Sequence, residues 1–220
     1  MNPMILNHLL RFDYLDTSLK NGLDYPLYSL AWRIIDDSSD FWTSEIISFK
    51  DNDLKTVKRF CSLMPQVLQR NIPDFLSSSF AIFSAIPSKS TSLPSSHQLY
   101  SLCSSFRDSF SCFWDQSLLK KKRHESLHYL KTASERDSEV AGTYICGVIP
   151  AQYRKVMLVD DLATRGSTFY SICQSIKRTN SHVNEFLFIS AGKNERLSYR
   201  SDINNSHLSQ RFKEIWCSID

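Results

Sequence analysis

Apolar residues recur along this chain at two distinct spacings. In residues 53–69, DLKTVKRFCSLMPQVLQ, the residues Val57, Phe60, Leu63 and Val67 share one face at helical spacing. SEIISFK (44–50), just before it, fits either a short strand or a helix end. SFAIFSAI (79–86) is a continuous apolar run stopped by Pro87, the pattern of a buried strand followed by a loop. The Ser-rich PSKSTSLPSS (87–96) is that loop, and an amphipathic helix is predicted from about His97 to Phe113. Residues 118–139, LLKKKRHESLHYLKTASERDSE, are charged and weakly periodic, and fit an exposed helix or a mobile loop. GTYICGVI (142–149), KVMLVDD (155–161) and NEFLFISAG (184–192) read as strands. STFYSICQSIKR (167–178) reads as a helix with Phe169, Ile172 and Ile176 inward, and KEIWCSI (213–219) as a short last strand. Apolar strands alternating with helices predict an α/β fold with a mainly parallel sheet flanked by helices.

Composition narrows this little. A chain of 220 residues, 42% hydrophobic and 22% charged, can bury a substantial core as one unit. A net charge of +3 is too mild to demand a nucleic-acid or membrane partner. No apolar run approaches the roughly 18 residues that cross a bilayer. The first residues, MNPMILNHLLRFDYLD, lack the basic start, apolar run and small-residue cleavage site of a leader, so none is expected. The six cysteines form no C-x-x-C pair and no zinc-like cluster with histidine. They read as free, mostly buried thiols of a reducing cytosol, which makes a cytoplasmic location the expectation.

The candidate chemistry lies in VMLVDDLATRGSTF (156–169), where a buried strand runs into two adjacent carboxylates. In parallel sheets ligands bind beyond the carboxyl ends of the strands, which is where Asp160 and Asp161 fall. The following ATRGST turn leads into a helix, with Ser167 or Thr168 as a natural N-cap. A helix start presents free N–H groups and partial positive charge to an anion such as a phosphate. Gly166 permits a backbone angle other residues resist, and Arg165 adds a charged fork. Anion donors in the turn and acceptors on the strand match a ribose 5-phosphate, phosphate at one end and 2- and 3-hydroxyls at the other. The bland alternative is that the two acids only cap a strand.

VMLVDDLATRGST resembles the signature of type I phosphoribosyltransferases, which use phosphoribosyl pyrophosphate (PRPP): four apolar residues, two acidic residues, and a turn ending Thr-Gly-Gly/Ala-Thr. Asp160 and Asp161 match the acidic pair, Thr164 the first threonine, and Gly166, Ser167 and Thr168 the end; Arg165 departs from the pattern. The resemblance implies a type I phosphoribosyltransferase (Rossmann-like) fold. It implies catalytic ribose contacts by Asp160 and Asp161, and a 5-phosphate held by Thr164, Arg165, Gly166, Ser167 and Thr168. It also implies Mg2+, bridging pyrophosphate and ribose and touching Asp160 and Asp161 through water. AIPSKS (85–90) stands where the family has its pyrophosphate loop, which makes Ser88 and Lys89 pyrophosphate contacts. Thr164 occupies the position where relatives acting on 6-oxopurines carry an aspartate base, which argues against that substrate class.

A narrower resemblance is to ComF-type members associated with competence. RDSEVAGTY (136–144) is similar to their Arg, then Asn-Val-x-Gly-x-Phe, with Arg136, Val140 and Gly142 matching and Glu139 and Tyr144 differing. Arg136 joins Ser88 and Lys89 as an implied pyrophosphate contact. IISFKDND (46–53) is similar to an early Lys-Phe/Tyr segment, with Lys50 aligned, while the N-terminal four-cysteine zinc element is absent. The likeness spans about 46–192 and is strong only at 156–168. It divides the chain into an N-terminal hood-like or partner-binding segment, 1–45, and a phosphoribosyltransferase-like domain, 46–220. In the first segment Phe12, Tyr14, Tyr25, Tyr28, Trp32, Phe41 and Trp42 are core residues or a platform for a base.

The run Lys120, Lys121, Lys122, Arg123, with Lys131 and Arg136, has three readings: a mobile loop over pyrophosphate, a solvated charged face, or contact with nucleic-acid phosphates. Functionally, the expectation is PRPP or nucleotide binding, with transfer of phosphoribosyl to a base. The alternatives are a non-catalytic PRPP or nucleotide sensor, or an effector subunit of a larger defence- or DNA-related complex. A homodimer and a protein partner are both compatible with the resemblance.

Overall fold

The structure is a computed structural model that describes residues 9–12, 25–123, 132, 135, 139 and 141–219. Tyr14, Lys131, Arg136 and Val140 lie outside the described residues.

The strands are β1 (Leu10–Phe12), β2 (Leu27–Ile34), β3 (Phe80–Ser84), β4 (Cys112–Phe113), β5 (Leu119–Lys121), β6 (Tyr144–Cys146), β7 (Lys155–Ala163) and β8 (Glu185–Glu195). The helices are α1 (Phe41–Lys50), α2 (Leu54–Asn71), α3 (Pro73–Leu76), α4 (Gln98–Ser109), α5 (Ser167–Thr179) and α6 (Gln210–Cys217). A six-stranded sheet has the order β1-β2-β8-β7-β3-β4. All its neighbours are parallel except β1, which pairs antiparallel with β2. This is the α/β class expected from the sequence, and it is compatible with a Rossmann-like arrangement.

The central strands are buried on both faces: Val156, Met157, Leu158 and Val159 of β7 lie between Phe80–Phe83 of β3 and Phe186–Ile189 of β8. Covering both faces removes the polar alternate positions, which is why these strands read as unbroken apolar runs. On one face, Phe169 of α5 stacks on Phe188 with ring centroids 4.7 Å apart. Helix α1 comes so close to β8 that a Cβ at Gly192 would lie 2.8 Å from Ile46. Burying each such aromatic or aliphatic side chain is worth about 1.5–3 kcal/mol.

Several expectations change. Residues 213–217 belong to α6, not a strand, because Phe212 and Trp216 are four apart on one buried face and Ser209 caps the helix start. SEIISFK, which fits a strand or a helix end, is the end of α1, as the second of those readings has it. The helix expected to reach Phe113 stops at Ser109, and Cys112–Phe113 pair with β3. Within 142–149, only Tyr144–Cys146 form a strand, and it joins β5 in a separate two-stranded ribbon. Residues 27–34, inside the segment set apart as 1–45, form β2 and run in the same sheet as β8. Trp32 and Trp42 are buried, the latter against Phe212 and Trp216.

All six cysteines are free: Cys103, Cys146 and Cys173 are buried, Cys61 and Cys112 half-buried, and Cys217 exposed. Among the described residues no helix is long and apolar enough to cross a membrane.

Candidate functional site

From β3 the chain passes through α4 to β4 on one side; from the adjacent β7 it passes through α5 to β8 on the other. Connections that leave neighbouring strands in opposite directions open a crevice between them at the carboxyl ends, the usual ligand position in such sheets. Here the crevice is flanked by the 85–97 loop after β3 and the 164–166 turn after β7. Asp160 and Asp161 stand at its mouth.

The two acids do not end their strand. β7 continues to Ala163 because Leu162 and Ala163 still pair with Gly192 and Lys193 of the longer β8. On the other side β3 ends at Ser84, and its last ladder bond is Ala85 N–H to the Val159 carbonyl, 2.8 Å. The N–H groups beyond that point are met by the acids themselves: Asp161 N–H donates to Asp160 (2.9 Å) and Leu162 N–H to Asp161 (2.7 Å). Strand capping, the bland alternative, is therefore part of what these carboxylates do, but it occupies one oxygen of each.

Successive residues of a strand face opposite ways, and the acids have different surroundings. The second oxygen of Asp161 makes a long 3.4 Å contact with the amide of Gln98, which also donates to the Lys50 carbonyl at the end of α1 (3.1 Å). Asp160 lies in the field of Lys121 and Tyr144 on the ribbon. Burial first, and then the charge of Asp161, push the Asp160 carboxyl well above the usual carboxylate range, while Lys121 pulls the other way. Its register partner in β8 is Ser190, fully buried, with a hydroxyl that has no partner among the described residues.

The turn differs in detail from the expectation. Its N-cap is Gly166, in the left-handed region at φ 83°, rather than Ser167 or Thr168, and the start of α5 has no side-chain cap. Among the described helices of eight residues or more, the others are capped by Asp40, Asp53, His97 and Ser209. Thr164 and Arg165 are exposed, and Ser167 and Thr168 half-buried. The end of β8 braces the turn: Lys193 Nζ donates to the Thr164 carbonyl (2.7 Å) and Asn194 to its hydroxyl (2.7 Å). Arg33 of β2 donates to Asn194 in turn (3.2 Å).

Of the implied pyrophosphate contacts, Ser88 is half-buried and Lys89 exposed on the loop after β3, while Arg136 lies outside the described residues. The basic run divides by strand alternation. Lys120, Lys122 and Arg123 are exposed, whereas Lys121 is 3% exposed and donates from Nζ to the Ile86 carbonyl. Burial draws its ammonium down to about 8, against the pull of Asp160. Neither a mobile loop nor a solvated face describes Lys121. The LKKKR stretch did carry a signal, since period-two alternation after Leu119 places every second residue inward. Gln98, Ser190 and Asn194 had no comparable mark, because their roles come from elements distant in sequence.

Among the described residues no three His, Cys, Asp or Glu side chains are placed to hold a metal ion. No family model matches the chain, and no curated protein is significantly similar to it.

Proposed function

We propose that the chain binds a ribose 5-phosphate ligand, with PRPP the best fit, in the manner of a type I phosphoribosyltransferase. The observation that carries this reading is the pairing, at one crevice, of an uncapped helix start in the 164–168 turn with two carboxylates of β7. The N–H groups at the head of α5 and Arg165 would take the 5-phosphate. The second oxygens of Asp160 and Asp161, the latter shared with the Gln98 amide, would accept the ribose hydroxyls. Ser88 and Lys89, across the crevice, would receive pyrophosphate.

If the chain turns over, the bond from C1 of ribose to pyrophosphate breaks as a bond from an acceptor nitrogen forms, through an oxocarbenium-like state. Catalysis would then be positioning and charge stabilisation, with no nucleophilic side chain. A raised Asp160 carboxyl fits a site that recovers its full negative charge when a cationic centre develops beside it. A second reading, a PRPP or nucleotide sensor without turnover, is favoured by Arg165, which departs from the family's pattern within the phosphate turn.

Calorimetry with PRPP and magnesium tests the reading, with Asp160→Asn/Asp161→Asn as the control and pyrophosphate release over a panel of bases as the second arm. Wild-type binding that falls at least about 100-fold in the control supports the site. Release that needs both acids makes it an enzyme, and binding without release makes it a sensor. A chain that binds neither PRPP nor any nucleotide rejects both.

A further inference from the structure

The loop after β3 is not held by its own strand. Ile86 N–H donates to the Tyr144 hydroxyl (3.2 Å), whose oxygen also lies 3.5 Å from the Ile86 carbonyl, and that carbonyl accepts from Lys121 Nζ. Five residues further on, the Thr91 carbonyl accepts from the Lys121 backbone N–H (2.9 Å). The Lys121 ammonium stands 5.6 Å from the centre of the Tyr144 ring, and both side chains are buried, at 3% and 1% exposure. An ammonium is costly to bury, and an apolar residue of similar length would fill the space at lower cost. Among the described residues only one of its three donors has a hydrogen-bond partner, and no carboxylate lies within salt-bridge distance. What the ammonium does touch is the peptide that begins the candidate pyrophosphate loop, beside Asp160.

We infer that Lys121 is a positioning residue of the site: it clips Ile86, and so the 85–90 loop, to the Asp160 end of β7, holding the half of the crevice that would take pyrophosphate in place before ligand arrives. This assignment rests, for its ligand, on the ribose 5-phosphate reading above. Tyr144 shares the clip by binding the same peptide. The β5–β6 ribbon, in this arrangement, is a brace for the loop rather than a cover over it. The Thr164 side of the crevice, which would take the 5-phosphate, is braced separately by Lys193 and Asn194.

The experiment uses Lys121→Met, which keeps length and removes the charge, and Tyr144→Phe, which removes only the hydroxyl. In the ligand-free full chain, hydrogen exchange of the segment 84–93 rises about tenfold or more in Lys121→Met and less in Tyr144→Phe, with α2 unchanged. With magnesium, Lys121→Met weakens PRPP about tenfold but leaves ribose 5-phosphate within about twofold. Unchanged exchange of 84–93 in both variants overturns the inference, as does equal weakening of the two ligands, which marks a merely structural lysine. If the wild-type chain binds neither ligand, the ribose 5-phosphate reading falls, and the exchange measurement alone still decides the clip. Should Lys121→Met fail to fold, the Tyr144→Phe exchange result decides it in the same way.

Discussion

The two banks of the crevice are built on opposite plans. On the β3 bank the backbone is tied into the protein: Ile86 to Tyr144 and Lys121, Thr91 to β5, Ser96 to Asn52, and His97 as the cap of α4. On the β7 bank Lys193 and Asn194 brace Thr164, and the head of α5 starts from a left-handed glycine with no side-chain cap. The first bank is tied along its loop; the second presents a helix start that has no side-chain cap. A pre-shaped frame facing a helix start suits a site in which binding is not to demand rearrangement. A ligand should therefore gain most of its affinity from the β7 bank and most of its geometry from the β3 bank.

The hardest test of that contrast is Gly166→Val. A β-branched residue at φ 83° is a genuine backbone outlier, costing about 1–3 kcal/mol. We expect ribose 5-phosphate affinity to fall by about 30-fold or more in calorimetry, with a thermal midpoint lowered by a few degrees. Unaltered affinity would mean that the turn is not the anion seat.

Alkaline pH tests the protein beneath both banks. Burial pushes the Cys61 and Cys112 thiols up to about 11 and Cys146 up to about 12, with Cys103 and Cys173 raised further. The folded chain keeps these protons while the unfolded chain releases them above the ordinary thiol value near 9, so the stability is present below pH 9 and is lost as pH climbs towards 12. Lys121 acts in the opposite sense: drawn down to about 8 from 10.5, it adds stability as pH rises between those values. The thiols outnumber it. Thermal melts under reducing conditions should show the midpoint falling more than about 5 °C between pH 8 and 10.5, and the fall should begin earlier in Lys121→Met. A midpoint at pH 10.5 equal to that at pH 8 would contradict the burial of the thiols.

The smallest effect is expected from Arg165→Ala. The side chain is exposed, so its charge is screened and its loss should weaken phosphate binding only about two- to fivefold, with no change in thermal midpoint. A loss as large as that of Gly166→Val would move the anion seat from the helix start to the arginine.

Much of this architecture was legible in one dimension. The runs 79–86, 155–161 and 184–192 announced buried parallel strands, and Phe169, Ile172 and Ile176 announced the inner face of α5. The short elements were misread where local spacing competes with context. KEIWCSI is a short apolar run that fits a strand as well as a helix, and as a helix Phe212 and Trp216 meet Trp42 in the core. For the site, the DD-x₄-GST spacing was visible because all of it is local. The division of Lys120–Arg123 into one buried and three exposed residues was half visible, as strand alternation, and half hidden, since nothing nearby names Ile86 as the partner.

The sequence alone determines that this chain alternates strand and helix, that one strand carries two adjacent carboxylates, and that a glycine turn opens the next helix. These follow from spacing and from the steric freedom of single residues, which act over a few positions. Only the tertiary structure decides that β3 lies beside β7 and not beside its sequence neighbour β2, and so that the 85–97 loop faces the 164–166 turn. That choice depends on which apolar faces pack together across 70 or more residues, and no local pattern carries it. The same packing separates the environments of Asp160 and Asp161 and buries Lys121 next to Ile86, because the field and the solvent at a side chain are set by whatever the fold brings alongside it.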